Sequence, residues 1–205
     1  MGVLRLGVAC AVVAACADAN GTVTLTETTS TALTFGTTVA CSDTGSGNTR
    51  DNTWYRAYAL ADYAGVVGAF HVTRVSFAVQ EASASMPVEV VVGTYAGALD
   101  TDTLDMSLVA PLVAATVTPP DTTGHTGEIV DVSIDADIPA GGTFVVSIAE
   151  PDMDNAGGLM YIGATTSGET HRGYISSTIC NAPTPETTVQ AGGTGQIIID
   201  VAGLH

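Results

Sequence analysis

Apolar and polar residues alternate with a period of two through most of the chain, which is typical of half-buried β-strands. In "PVEVVVGTY", Val88, Val90 and Val92 fall on one side of a strand and Glu89 falls on the other. Similar runs recur along the sequence, in "TVTLTET", "HVTRVSFAVQ", "MSLVAPLVAATV", "GEIVDVSI", "GTFVVSIA", "GLMYIGAT", "RGYISS" and "QIIIDVAG". The pattern predicts many short strands.

Segments rich in Gly, Pro, Asp and Thr separate these runs and are typical of turns. They are "GALDTDT", "PPDTTGHTGE", "DIPAGG", "PDMDNAGG", "TSGET" and "APTPE". Helical periodicity is lacking, and "RAYALADYA" could form at most one turn. Short strands without intervening helices favour antiparallel β architectures. We therefore predict an all-β fold, a single antiparallel β-sandwich or jelly-roll-like domain over residues 17–205.

The N-terminus has the layout of a bacterial export signal: Arg5, then an apolar run, then small residues. The run is too short to span a bilayer as a mature helix. Its end, Val13 to Cys16, resembles a lipobox, so we predict a signal peptide over residues 1–16 and a lipid on Cys16 that anchors the protein to a membrane. An ordinary signal-peptidase site ending at Ala17 or Ala19 is the alternative. We expect export to the cell envelope or beyond.

Four cysteines are present, at positions 10, 16, 41 and 180. Cys10 leaves with the signal, and Cys16 is lipidated or lost. An exported chain meets an oxidising compartment, so Cys41 and Cys180 are predicted to form a disulfide. Free thiols and a zinc site are the alternatives, although zinc needs clustered ligands and no short-spaced Cys pair exists here.

The charge balance excludes several functions. Five arginines and no lysine face 21 acidic residues, which gives a net charge of -16. A P-loop and a Schiff-base enzyme both need a lysine. Nucleic acid would be repelled, and we expect none as a partner.

The stretch "DNTWYRAYAL" carries the only Trp of the chain. Strand phasing places Trp54, Arg56 and Tyr58 on one face and Tyr55 on the other, with Asp51 as a candidate carboxylate for the arginine. One interpretation is a ligand-binding platform on which a sugar stacks against these aromatic residues. The alternative is a sandwich core with the arginine at its rim.

Two acidic turns are candidate calcium sites because Ca²⁺ prefers six to eight hard oxygen ligands. The turn "EPDMDNAGG" offers Glu150, Asp152 and Asp154, with Asn155 beside them. The turn "DTDTLD" offers a second set of aspartates, namely Asp100, Asp102 and Asp105. Neither turn has the spacing of an EF-hand, so plain acidic turns are the alternative.

Catalytic signals are weak. The chain has no Gly-x-Ser-x-Gly turn that could expose a serine nucleophile. Pairs of carboxylates, as glycoside hydrolases use, arise by chance among 21 acidic residues. The four histidines are expected to be solvated, since no neighbouring residue positions them: His71, His125, His171 and His205. We therefore predict no catalytic residues and no enzyme.

The segments "DNTWYRAYAL", "FHVTRVSFAVQEA", "PVEVVVGTY", "FVVSIAEPD", "LMYIGATTSGETHRGYIS" and "TICNAPTPE" resemble, in order, a β-sandwich domain that recurs in secreted and cell-surface bacterial proteins. Members share an early Cys, an Asn-aromatic-Tyr-Arg strand and a late Cys before prolines. They usually accompany hydrolase, adhesive or sorting modules. The resemblance implies architectural roles for six residues here, namely Cys41, Asn52, Tyr55, Arg56, Tyr174 and Cys180.

Together these observations lead us to expect a non-catalytic, exported cell-surface β-sandwich, anchored as a lipoprotein, with an adhesive, structural or accessory binding role. A carbohydrate-binding module, assisted by Ca²⁺, is the alternative. The expected partners are polysaccharide or other cell-surface components, and the membrane if Cys16 is lipidated. No cofactor other than Ca²⁺ is suggested.

Overall fold

A computed structural model of the protein describes residues 16–17, 21–83, 86–124 and 126–205. Most of the described backbone is antiparallel β-strand, and short 3₁₀ turns span Leu60–Asp62, Met106–Leu108 and Asp154–Ala156. The strands are β1 (Cys16–Ala17), β2 (Thr22–Thr26), β3 (Asn52–Ala59), β4 (Phe70–Ala82), β5 (Val88–Tyr95), β6 (Val109–Val117), β7 (Glu128–Ile138), β8 (Thr143–Glu150), β9 (Met160–Ile162), β10 (Ala164–Thr165), β11 (Gly173–Ser177), β12 (Ala182–Thr187), β13 (Gln196–Ile197) and β14 (Ile199–Leu204).

The strands form two large sheets. The first sheet has the order β1-β2-β14-β4-β7, and β9 also pairs with β4. The second sheet has the order β12-β11-β3-β8-β5-β6, and β10 pairs separately with β13. The sequence prediction of an all-β, antiparallel sandwich is therefore confirmed.

The main core lies between the two sheets. Alternate residues of each strand point into it, as the valines Val88, Val90 and Val92 of β5 do, all without exposed surface. The rings of Tyr58 and Phe144 stack there, with centroids 5.0 Å apart and planes 16° from parallel. Burial of each such side chain contributes about 1.5–3 kcal/mol to folding.

The second sheet is also covered on its outer face. The connection between β5 and β6 lies over that face and brings Leu104 against a cluster that includes Tyr55, Tyr95 and Tyr174. Strand β3 is consequently buried on both sides, although an antiparallel sheet often leaves one face to solvent.

The segment "APTPE" was predicted to be a turn, and this prediction was wrong. It forms most of β12, whose partner among the described strands is β11 and which makes one isolated bridge, from Glu186 to Thr103, on its other side, so it lies at the edge of the second sheet. An edge strand tolerates Pro183 and Pro185 because it has a side with no neighbouring strand to receive an N–H.

The predicted disulfide between Cys41 and Cys180 is confirmed. It joins the segment before β3 to the turn between β11 and β12, across 139 residues, with the Cα atoms 6.0 Å apart. The side-chain amide of Asn52 holds the first cysteine: its Oδ1 accepts from the Cys41 N–H at 2.6 Å, and its Nδ2 donates to the Cys41 carbonyl at 3.0 Å. Asp51 accepts hydrogen bonds from the segment around the other cysteine, Cys180, and one of them comes from Ser177 Oγ at 2.7 Å.

The signal-peptide prediction for residues 1–16 falls almost wholly outside the described residues. Only the backbone of Cys16 is described, where it pairs with Thr24 of β2. Lipidation of Cys16 and the domain boundary at residue 17 remain predictions. In the described ranges, none of the helical turns has the length and hydropathy that a bilayer-spanning helix needs.

Candidate functional site

The four residues proposed as an aromatic platform lie inside the domain, and this corrects that interpretation. Trp54, Arg56 and Tyr58 have no exposed surface, and Tyr55 belongs to the outer cluster under the β5–β6 connection. Their polar atoms are used internally: Trp54 Nε1 donates to the Val39 carbonyl at 2.9 Å. A sugar ring cannot stack on aromatic faces that the protein already covers.

Arg56 is a buried cation in the middle of β3. Its Nη1 donates to Glu169 Oε2 at 2.6 Å and to the His171 carbonyl at 2.5 Å, and its Nη2 donates to the Ile197 carbonyl at 2.5 Å. The prediction that Asp51 is the carboxylate partner of Arg56 was wrong. Asp51 precedes β3 by one residue, and five residues of strand span about 16 Å.

A second buried carboxyl lies next to this arginine. Glu27, just past the end of β2, accepts from Tyr63 Oη at 2.6 Å and from the His171 N–H at 3.2 Å. Burial raises the pKa of Glu27, and the hydrogen bond from Tyr63 and the charges of His171 and Arg56 offset only part of that effect. The loop around His171 is thus tied to the body of the sandwich from two sides.

His171 was expected to be solvated, but its side chain is only 15% exposed and lies between two carboxylates. Its Nδ1 is 2.7 Å from Asp100 Oδ2, and its Nε2 is 3.0 Å from Asp62 Oδ2. Burial alone would lower the pKa of His171, but the hydrogen bond to Asp100 and the neighbouring carboxylates outweigh it, so its pKa is raised. Ionised carboxylate oxygens only accept hydrogen bonds, so hydrogen bonds to both carboxylates require a proton on each ring nitrogen.

A surface depression of about 260 Å³ opens beside the charged residues around His171, and we call this depression the polar cleft. One wall is an ion pair in which Arg172 Nη1 lies 2.8 Å from Asp102 Oδ1. The opposite wall is the stretch from Thr187 to Gln190, where Gln190 Oε1 accepts from Thr187 Oγ1 at 2.8 Å. The lining residues are Asp102, Glu169, Arg172, Thr187, Thr188, Val189 and Gln190.

A second depression, of about 210 Å³, adjoins the disulfide. Its lining is mostly small or apolar side chains such as Val39, Ile175 and Ala191, and Glu186 is its charged residue. The polar cleft offers more groups that can orient a ligand, because it brings two carboxylates, a guanidinium and an amide together.

The predicted calcium ligands do not converge. Glu150 points inward from the end of β8, whereas Asp152 Oδ1 and Asp154 Oδ2 lie 3.4 and 2.9 Å from Arg50 Nη1. The described residues contain no group of three or more His, Cys, Asp or Glu arranged to hold a metal ion. In the other turn, Asp100 binds His171 and Asp102 binds Arg172, while Asp105 accepts from the Ser107 N–H at 3.0 Å.

Glu150 is buried beside the disulfide loop. Its Oε1 accepts from Asn52 Nδ2 at 2.5 Å and its Oε2 accepts from Thr49 Oγ1 at 3.0 Å. Burial raises the pKa of Glu150 to about 9, because these two hydrogen bonds offset only part of the desolvation. The group is therefore protonated in the folded protein at neutral pH.

Substituting Glu150→Gln should flatten the pH dependence of stability. The folded state keeps the Glu150 proton up to a pH of about 9, whereas the unfolded chain loses it near 4.5, so the free energy of unfolding falls as pH rises between these values. We expect the variant to be more stable than the wild type at pH 7, by on the order of 3 kcal/mol. Urea denaturation at pH 4.5, 7 and 8.5 measures this difference. The matched control is Glu89→Gln, on the exposed side of β5. Equal pH profiles for the wild type and Glu150→Gln would contradict the prediction.

Several residues of the site were not singled out from the sequence in these roles. They come from four separate segments: Glu27, Asp62, Asp100, and the stretch that holds Glu169, His171 and Arg172. The available signal was the segment "GETHRG", which places charges of both signs directly before β11, a strand that pairs with β3 opposite Arg56.

Comparison with known proteins adds a fold relationship. No family model matches the chain, and no curated protein matches it. Among solved structures, the chain is similar to the clostridial cysteine protease Cwp84, solved after propeptide cleavage, with a TM-score of 0.56 and 9% sequence identity. The match covers 90% of this chain and 40% of that protein. The two share a fold.

This finding overturns the prediction that the protein is not an enzyme. The architecture used here occurs inside a protease, so an all-β sandwich with weak catalytic motifs no longer argues against an enzyme. At 9% identity the similarity shows the shared fold alone, and it assigns no catalytic residue to this chain.

Proposed function

We propose that this protein is an exported domain of the cell envelope that binds neutral saccharides in the polar cleft. The observation that carries the proposal is the Asp102–Arg172 pair, which presents a carboxylate and a guanidinium side by side at a partly exposed surface. A sugar hydroxyl both donates and accepts hydrogen bonds, so adjacent hydroxyls suit such a pair. Glu169 and Gln190 supply further acceptors and donors in the same cleft.

The size and shape of the polar cleft restrict the range of ligands that it can hold. The cleft volume of about 260 Å³ lies just below the roughly 300–1,000 Å³ of typical small-molecule pockets. It would therefore suit a single ring or the end of an oligosaccharide. Val189 is exposed at the rim and offers an apolar contact for the C–H face of a ring.

Charge favours a neutral ligand over an anionic one. The chain carries a net charge of -16. In the cleft, Arg172 is already paired with Asp102, and Glu169 is already paired with Arg56. Uronic acids, phosphates and nucleic acids would meet an unfavourable long-range field without a free cation to compensate.

Export and anchoring rest on the N-terminal sequence and on the disulfide. Disulfides persist in oxidising compartments, and the Cys41–Cys180 bond is consistent with one. We propose that Cys16 carries a lipid and holds the domain at a membrane, where saccharide binding would serve an adhesive or accessory role. Intact-mass measurement of the native protein tests the anchor, and an unmodified Cys16 would contradict it.

The binding proposal predicts that Arg172→Gln weakens saccharide affinity at least tenfold, since a hydrogen bond to a charged group contributes about 1.5–3 kcal/mol. A neutral-glycan array identifies the ligand, and calorimetry then measures affinity. The matched control is Arg74→Gln on the other sheet, because Arg74 is 48% exposed and pairs with Asp131, whereas Arg172 is 45% exposed. The control should bind like the wild type. Absence of binding to every neutral glycan, or equal weakening by both substitutions, would refute the proposal.

A further inference from the structure

His171 joins three segments of the chain. One carboxylate it contacts, Asp62, ends the 3₁₀ turn after β3, and the other, Asp100, lies in the connection between β5 and β6. The backbone N–H of His171 donates to Glu27 and its carbonyl accepts from Arg56. The imidazole thus bridges its own loop, the 3₁₀ turn after β3 and the connection between β5 and β6.

The bridge leads directly to the polar cleft. The second oxygen of Asp100 accepts from the Arg172 N–H at 3.0 Å, so the same carboxylate holds His171 and the backbone of the cleft residue. Asp100 itself adopts a left-handed backbone, with φ of 58°. Arg172 then reaches Asp102, two residues after Asp100. The ion-paired wall of the cleft is therefore built on the two segments that the imidazolium joins.

The charges facing His171 are mostly negative. They come from three other segments, Asp62 after β3, Asp100 before β6 and Glu27 after β2, while Glu169 in its own segment is paired with Arg56. The nearby cations are Arg56, committed to Glu169, and Arg172, committed to Asp102. A neutral imidazole could donate to only one of its two carboxylates and would leave the other facing like charges.

We propose that His171 is a positioning residue that holds the Asp102–Arg172 wall of the polar cleft only while its imidazole is protonated, so that ligand affinity falls as the pH becomes alkaline. This inference rests on the proposed saccharide binding for its functional consequence, but the proton-dependent coupling can be measured without any ligand. The direction follows from the geometry, because the doubly hydrogen-bonded form is the charged one. The raised pKa of His171 places the transition above the ordinary histidine value.

The ligand-free test is an NMR titration of the whole chain. We expect the His171 ring to titrate above pH 6.5 and the Arg172 side chain and the Asp100 and Asp102 amides to shift with the same midpoint. His71 is the internal control: it lies 2.8 Å from Asp137 on the other sheet, and its titration should leave the cleft signals unchanged. If His171 titrates without any response at Arg172 and Asp102, the inference is wrong.

The binding test uses the glycan found by the array, at one pH below and one pH above the His171 midpoint that the NMR titration measures. Wild-type affinity should fall about tenfold at the higher pH, which corresponds to the loss of one charged hydrogen bond. His171→Gln should bind weakly at both pH values, and His71→Gln should behave like the wild type. Coupled NMR shifts without glycan binding at any pH would refute the proposed function alone. Glycan binding that does not change between these pH values would refute the positioning role alone.

Discussion

Replacing Arg56 with methionine is expected to lower the free energy of unfolding by about 3–5 kcal/mol, the usual cost of breaking a buried ion pair from one side. The substitution leaves Glu169, which is only 17% exposed, without its cation. It also leaves the carbonyls of His171 and Ile197 without the donors that reach them at 2.5 Å. Urea denaturation followed by the fluorescence of Trp54, the single and fully buried tryptophan, measures the loss.

Two further variants separate the buried pair from a generic effect of losing an arginine. Arg74→Met removes a cation whose partner Asp131 lies 3.7 Å away in an exposed pair, so it should cost less than about 1 kcal/mol. Adding Glu169→Gln to Arg56→Met should recover part of the loss, because the uncompensated negative charge is then gone. A cost for Arg56→Met no larger than that for Arg74→Met would show that the pair is not a main support of the loop around His171.

The strands were predictable because their signal is local. Val88, Val90 and Val92 alternate with polar neighbours over a few residues, and the period of two alone identifies their buried face. The disulfide was predictable by elimination, since the predicted export signal and lipidation would leave two cysteines to pair. The proline-rich strand β12 was not, because whether proline is tolerated depends on the strand's place in the sheet and not on its own sequence.

The site was not predictable because its contacts are distant in sequence. The partner of Arg56 lies 113 residues away, and strand phasing, which assigns a residue to one face of its own strand, could not name Glu169. The burial of Tyr55 depends on Leu104, which a long connection folds over the outer face of the second sheet. In the acidic turn, Glu150 and Asp152 separate because β8 ends at Glu150, and beyond a strand end alternation no longer decides direction.

Removing the disulfide should produce an effect of similar size by a different route. The double variant Cys41→Ala/Cys180→Ala is expected to lose about 4–5 kcal/mol of unfolding free energy, since the bond closes a loop of well over a hundred residues in the unfolded chain. The folded loop should persist, because the Asn52 amide still binds both backbone groups at position 41. Urea denaturation of the oxidised wild type and of the double variant measures the difference.

If the disulfide stabilises the protein by limiting the conformational entropy of the unfolded chain, a second effect is expected that loss of a local contact would not produce. The unfolded variant is less constrained and exposes more surface, so the urea m-value should rise along with the loss of stability. Chemically reduced wild type should match the double variant in both quantities. The amide spectrum of the folded variant should change only around the segment before β3 and the β11–β12 turn. If the m-value stays constant while that region loses its native signals, the bond acts by holding the folded turn in place, and the entropic explanation is wrong.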